Sequence, residues 1–270
     1  MRVAAIQFRC GPDRDENLAR AAMLVRDAAA QGATTIVLPE LFASLDRAST
    51  MRERAESIDG PTIQWAADLA RATTTTLIPG SFVEREGDAV FNTSCALAPT
   101  GEVLTTYRKV HLFDIDLDGA TSRESDTFTG GVDATVVDLD AGRMGLAICY
   151  DLRFPELFRV EALLGADVLA VPSAFTATTG RDHWELLVRA RAVENQCAVI
   201  AAAQWGTSPD GIERHGHTMV VDAWGRVLAD AGPTGDAVIV VDLDLDAQAD
   251  IRRRLPVIGH RRPEAYRWPD

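Results

Sequence analysis

Three residues set far apart in the chain, Cys149, Glu40 and Lys109, have the types needed to cleave an acyl derivative through a covalent intermediate. Cys149 ends the apolar run Gly145-Leu146-Ala147-Ile148 and is followed by Tyr150-Asp151-Leu152-Arg153-Phe154-Pro155-Glu156-Leu157. The run reads as a buried strand, and Pro155 reads as the start of a helix over Phe154–Leu164. A thiol at such an elbow points out of the sheet edge, and a helix N-terminus favours its thiolate. A lone cysteine is more often a buried structural one; the elbow and the flanking charge weigh against that here. Glu40 closes Val37-Leu38-Pro39-Glu40, and a carboxylate directly after a buried strand is costly unless paired or employed. Lys109 follows Tyr107-Arg108 at the end of another strand. Alone, each charge reads as a solvated strand end. As a set, a carboxylate can take the thiol proton, and an ammonium with a backbone N–H can hold the negative oxygen of an attacked carbonyl.

Such a set needs a scaffold that gathers strand ends, and strand and helix signals alternate along the chain. Strands are predicted at Val3–Phe8, Thr34–Pro39, Leu77–Glu84, Val168–Val171, Ala198–Gln204, Met219–Val221, Val227–Ala229 and Val238–Val241. Hairpins are predicted for Asn92–Ala98 with Glu102–Tyr107, and for Ala134–Leu139 with Met144–Cys149. Helices are predicted at Asn17–Gln31, stopped by Gly32, at Ile63–Arg71, opened by Pro61, and at Glu156–Leu164 and Trp184–Asn195. Phe113–Gly131 lacks periodicity and reads as a long loop. No Pro/Ser/Gly-rich linker interrupts the pattern, so residues 1–270 read as one α/β domain. The segment Gly32–Phe42 also echoes Gly165–Phe175: each follows a helix and runs through a strand to Pro, a polar residue and then Phe. Two βαβ halves would explain the echo, as would the generic form of any helix–Gly–strand unit. Under the first reading Glu40 and Ser173 occupy matching strand ends, where open α/β sheets bind ligands.

Composition bounds the partners. The 270 residues are 47% hydrophobic and 25% charged, which is globular, and the formal net charge of -13 argues against nucleic acid and anionic membranes. No apolar stretch approaches the roughly 20 residues that span a bilayer. Met1–Phe8 reads as a strand rather than a signal peptide. Cys10, Cys95, Cys149 and Cys197 are scattered, with no CxxC pair, so neither a disulfide framework nor a cysteine zinc site is suggested, and a reducing cytoplasm fits.

Glu40, Lys109 and Cys149, in this order and in these motifs, resemble the nitrilase superfamily of carbon–nitrogen hydrolases, a likeness that runs from Ala5-Ile6-Gln7 to Leu255-Pro256-Val257. Pro172-Ser173-Ala174-Phe175, Thr179-Gly180, His183-Trp184-Glu185, Ala201-Ala202-Ala203-Gln204 and Gly216-His217-Thr218-Met219 resemble its Nit branch. The resemblance implies a four-layer αββα sandwich, two stacked mixed sheets flanked by helices, and a homodimer with a C-terminal extension from about residue 245 packing on the partner. It implies an amidase without metal or cofactor: Glu40 as base, Cys149 as nucleophile, Lys109 and the Tyr150 N–H on the oxyanion, and Glu124 orienting Lys109 and the amide. Arg153 and Thr179 match positions that bind a substrate carboxylate, with Phe175 and His183 also at the substrate. Implied substrates carry a carboxylate remote from the amide, such as α-ketoglutaramate or deaminated glutathione; N-carbamoyl hydrolases, aliphatic amidases and nitrilases share the same catalytic set.

Rival readings start from other residues. His215 and His217 have a spacing that could hold a metal, but no carboxylate or Cys clusters near them in sequence. A Cys–His hydrolase would use His111 or His183 as base and leave Glu40 and Lys109 idle. Trp184, Trp205 and Trp224 could form a binding stripe, though isolated Trp residues are more often core or interface. A silent binding scaffold would have no use for the intact Glu40, Lys109 and Cys149 set.

Overall fold

The computed structural model describes residues 1–117 and 120–265. One mixed sheet orders its strands Ala237–Asp242, Arg2–Gln7, Thr35–Val37, Thr76–Ile78, Ala89–Leu97 and Phe82–Glu86, with Val103–Arg108 also paired to Ala89–Leu97. The second runs Val227–Asp230, Met219–Val221, Ala198–Ala201, Val168–Ala170, Gly142–Leu146 and Thr135–Leu139. Both combine parallel and antiparallel pairs. Strand periodicity explains the layering. Along the first strand, Val3 and Ala5 face Met144, Leu146 and Leu169 of the other sheet. Ala4 and Ile6 face Leu18, Ala21 and Val25 of helix Arg14–Ala30 and Ile63, Ala66 and Ala70 of helix Pro61–Thr73. On the far side, helices Pro155–Leu163 and Ala177–Asn195 bring Leu157, Phe158, Trp184 and Val188 onto the second sheet. The result is a four-layer αββα sandwich.

The sheets are also stitched by hydrogen bonds near their strand ends. Phe8 N donates to Ala203 O (3.3 Å), and Thr218 N donates to the buried Gln7 Oε1 (2.9 Å).

Several boundaries differ from the sequence reading. Leu77–Glu84 is two strands, because Gly80 turns with φ +66 and a Cβ there would lie 1.8 Å from Pro39 O. The helix expected from Trp184 begins at Ala177, capped by the Thr176 side chain, which accepts from Thr179 N. Thr179 is thus in a first helical turn, not a loop. Strand Ala198–Ala201 stops short of Gln204, whose side chain has another task described below. Within Phe113–Gly131, residues 118 and 119 lie outside the described residues. The rest is not loop alone: Asp114–Leu117 pairs with Ala120–Arg123, and a 3₁₀ turn spans Glu124–Asp126. The stretch from about 245 opens with a helix, Leu245–Arg254, docked on its own chain: Gln248 accepts from Ala198 N, and Arg252 pairs with Asp167 (2.8 Å). Residues 266–270 lie outside the described residues.

Candidate active site

Glu40, Lys109 and Cys149 converge between the two sheets, each less than a tenth exposed. Gly80 packs against Pro39 and holds the end of Glu40's strand. The carboxylate then bridges the layers. Its Oε1 accepts from Lys109 Nζ (2.9 Å) and Asn92 Nδ2 (2.9 Å), and its Oε2 accepts from Ala174 N (2.8 Å) of the second sheet's loop. Gln204 Nε2 donates to the Glu40 carbonyl (2.9 Å). The two echoing segments therefore meet at their ends, Glu40 on one and Ala174, beside Ser173, on the other.

Cys149 sits at a sharp turn with φ +48, a left-handed conformation that costs a non-glycine residue roughly 1–2 kcal/mol and persists only when surroundings enforce it. Cys149 N donates to Pro172 O (2.9 Å), and Asp151 Oδ2 accepts from Ile148 N (2.8 Å). Asp151 is fully buried and also takes the Tyr107 hydroxyl (2.7 Å) and the His111 N–H (3.1 Å). It thereby ties the nucleophile's turn to the strand that ends at Lys109.

The electrostatics differ from the sequence expectation in one respect. The α-helix starts only at Pro155, after a 3₁₀ turn over Cys149–Arg153. Burial, and then the Glu40 charge, push the Cys149 thiol well above its ordinary value, while Lys109 opposes them. The resting sulfur is a neutral thiol rather than a helix-stabilised thiolate. Burial works against Glu40's charge as well. The Lys109 ammonium and hydrogen bonds from Lys109, Cys149 and Asn92 overcome it and hold the carboxyl below the usual range. Lys109 also suffers from burial, but Glu124 and Glu40 keep it charged. Glu124 Oε2 lies 2.8 Å from Nζ and accepts from Phe113 N (2.6 Å). A neutral thiol thus faces an ionised carboxylate close enough to hydrogen-bond, with an ammonium held by that carboxylate and a second one.

These groups open into a cavity of about 380 Å³ that Tyr150, Phe175 and Thr179 also line. Arg153 and His183 are not among its lining residues. The Arg153 guanidinium lies over the rings of Tyr150 and Phe175 (5.7 and 5.3 Å to their centroids), both of which line the cavity, and faces His183 Nδ1 at 3.4 Å. Arg153 closes the 3₁₀ turn that begins at Cys149. His111 is stacked on Phe154 (3.6 Å) with Nδ1 at 2.7 Å from Asp151, and it too does not line the cavity. The Nδ1 atoms of His111 and His183 thus face Asp151 and Arg153. His215 stacks on His217, whose Nδ1 bonds Asp230 (3.0 Å). Trp184 is core, and its Nε1 donates to His217 O (2.7 Å).

Sequence reasoning did not single out Asn92, Asp151 or Gln204. Asn92 heads the polar triplet Asn92-Thr93-Ser94, which is buried inside an otherwise apolar strand, and that pattern is the signal that could have found it.

One buried group stands just behind the site. Glu161, on helix Pro155–Leu163, lies against Gly145, its Oε2 2.8 Å from where a Cβ would sit. Burial and the Asp151 charge push its pKa well above the ordinary carboxyl value. The folded protein holds a proton there that the unfolded chain releases above roughly pH 4.3. More protons bound in the folded state means that stability falls as pH rises. Glu161→Gln removes this loss. Its Tm advantage over wild type is expected to be small near about pH 4 and to grow by several degrees toward about pH 8. Calorimetry across that range checks it; an advantage that shrinks with pH refutes a protonated Glu161.

The carbon–nitrogen hydrolase profile matches residues 2–253. The chain belongs to the carbon–nitrogen hydrolase family. Its reaction class is hydrolysis of a carbon–nitrogen bond. The chain is 41% identical over 266 residues to omega-amidase NIT2 of Homo sapiens, covering 98% of this chain and 96% of the relative. It is 42% identical over 264 residues to the deaminated glutathione amidase of a Synechocystis strain, covering 96% and 97%. Among solved structures, Nit3 of Saccharomyces cerevisiae, a member of branch 10 of the nitrilase superfamily, superimposes with a TM-score of 0.87 at 33% identity, covering 95% of this chain and 94% of that one.

Proposed function

We propose that the protein is an amidase that hydrolyses the terminal amide of a small carboxylate-bearing substrate through a cysteine thioester. The observation that carries this reading is the ionised Glu40 carboxylate beside the neutral Cys149 thiol, with Lys109 held between Glu40 and Glu124. Glu40 takes the thiol proton as sulfur attacks the amide carbon. The carbonyl oxygen becomes negative, and the Lys109 ammonium and the Tyr150 N–H receive it. The C–N bond then breaks, and protonated Glu40 gives its proton to the departing nitrogen, which leaves as ammonia. Water takes the vacated place, gives a proton to Glu40 and attacks the thioester. Release of the acid restores the thiol. Glu124 keeps Lys109 aimed without taking part in the bond changes. Phe175 and Thr179 shape the wall along the acyl chain.

The relatives' activities, an omega-amidase and a deaminated glutathione amidase, support this substrate class. A screen tests it that reads ammonia from α-ketoglutaramate, N-carbamoyl amino acids, simple amides and nitriles, and the liberated cysteinylglycine amine from deaminated glutathione. The carboxylate-bearing ω-amides are expected to have the highest kcat/KM. Turnover confined to carbamoyl compounds or nitriles would refute the reading.

A second copy of the chain completes the assembly in this proposal. Val160, Leu163, Leu186 and Val193, on the two helices outside the second sheet, are 44–66% exposed, and apolar side chains on these helices are what a partner would cover. Light scattering is expected to report about twice the 29.2 kDa chain mass, and removal of the residues after Leu255 to weaken the pair. A fully active monomer at micromolar concentration would count against it. All four cysteines are free thiols, which suits a reducing cytoplasm, and no helix among the described residues is long and apolar enough to cross a membrane.

A further inference from the structure

Asn92 touches both carboxylates of the site and takes no part in the bond changes of the proposed reaction. It lies in strand Ala89–Leu97, next to Thr93, which pairs with Arg108 of strand Val103–Arg108. The ladder runs one step further, Lys109 N donating to Asn92 O (2.9 Å). Asn92 and Lys109 are therefore cross-strand neighbours, and their side chains leave the same face of the sheet. Asn92 is fully buried, and its Nδ2 donates to Glu40 Oε1 (2.9 Å) and to Glu124 Oε1 (3.3 Å). Ionised carboxylates only accept, so the NH2 of the amide must face them and cannot exchange places with the oxygen. That oxygen, Oδ1, is buried with no hydrogen-bond partner among the described residues. A buried polar side chain left half unpaired needs a reason to be there, and the two carboxylates supply it.

The acceptor positions on Glu40 give the amide a task. An ionised carboxylate has about four of them, two on each oxygen. Oε1 is filled by Lys109 Nζ and Asn92 Nδ2, both at 2.9 Å. Oε2 accepts from Ala174 N (2.8 Å) and keeps its second position. The same Ala174 N–H faces the Cys149 sulfur, so Oε2 is the oxygen on the thiol's side. Without Asn92 a position opens on Oε1, toward Glu124, whose oxygens lie 3.0 and 2.8 Å from the same Nζ. Two carboxylates sharing one site favour holding a proton between them, and a proton held there is a base lost to Cys149.

We infer that Asn92 is a positioning residue for proton transfer from the thiol: it closes Oε1, keeps Glu40 and Glu124 from sharing a proton, and leaves Oε2 to receive the proton of Cys149. The inference rests on Glu40 serving as the base for Cys149. Lys109 and Cys149 are the charged and titratable groups in direct contact with Glu40, Glu124 stands across the ammonium and the amide, and Asn92 is the neutral side-chain donor among them.

Iodoacetamide is the probe, because it reads the base without requiring turnover of an amide. Its alkylation of Cys149 forms a C–S bond, expels iodide and passes the thiol proton to Glu40. The rate is followed by mass spectrometry of the peptide that contains Cys149, from about pH 4 to about pH 8, and in the wild type it should stay flat down to roughly pH 4.3. Asn92→Leu removes both donations, and Asn92→Ser keeps a hydroxyl that stops short of the carboxylates. In each, the acid limb should rise by about one to two pH units. With succinamate as substrate, kcat should fall about tenfold at roughly pH 7.5 and KM should stay within about twofold. A merely structural role would lower Tm and leave the limb in place. Circular dichroism checks the fold, and should Asn92→Leu fail to fold, Asn92→Ser decides alone. An unmoved limb, or a loss confined to KM, overturns the inference. A raised limb in variants of a wild type that releases no ammonia from any amide would instead defeat the amidase reading and leave the role of Asn92 standing.

Discussion

Replacing Cys149 by alanine is expected to lower ammonia release to background while leaving the fold and its Tm nearly intact. The thiol is the sulfur beside an ionised carboxylate, and it opens into the cavity. No other thiol can replace it. Cys10, Cys95 and Cys197 are buried, and burial pushes their pKa values up to about 11, 12 and 11. None lines the cavity. Removing one sulfur from a site that already adjoins a cavity leaves little new void, so the stability cost should stay within about 1 kcal/mol. Mass spectrometry of the wild type with a slow amide should find an acyl adduct on the peptide that contains Cys149. An adduct on another cysteine, or a Cys149→Ala protein that keeps a tenth of its turnover, would remove Cys149 from the mechanism.

Glu40→Gln and Lys109→Met are each expected to lower kcat by roughly 10²–10⁴, and they should differ in stability. Glu40→Gln deletes the base yet leaves Lys109 paired with Glu124 at 2.8 Å. Lys109→Met leaves the buried Glu40 and the half-buried Glu124 carboxylates, both within hydrogen-bond reach of Asn92, with no cation between them. One of them must then take a proton, and removal of one partner from a buried ion cluster costs about 3–5 kcal/mol. Lys109→Met should therefore melt well below Glu40→Gln, and adding Glu124→Gln to it should restore part of the loss. The wild-type pH profile follows from the same charges. Glu40 is held below the usual carboxyl range and must be ionised to act, so kcat/KM should be flat through neutrality and fall only below roughly pH 4.3. An acid limb centred near about pH 6.5 would point to a histidine base instead. Near-wild-type kcat in either variant would exclude that residue from the chemistry.

The alternation of apolar strands with helices marked one α/β domain, and the family resemblance implied its αββα layering; the burial of Val3, Ala4, Ala5 and Ile6 on alternate faces supplies the physical reason, since each face of the strand needs its own neighbour. Residue type and motif also marked Glu40, Lys109, Cys149 and Glu124 before any coordinates. They are polar groups at the ends of apolar runs or in a recognisable motif, and such signals are local. What stayed out of reach depends on contacts distant along the chain. Glu40 meets Ala174 across 134 residues, and Gln204 reaches the Glu40 carbonyl across 164. The left-handed turn at Cys149 is enforced by Pro172, a contact the local pattern around residue 149 does not show. Burial and the Glu40 charge made the sulfur a neutral thiol, since pKa depends on what surrounds a group and not on its neighbours in sequence.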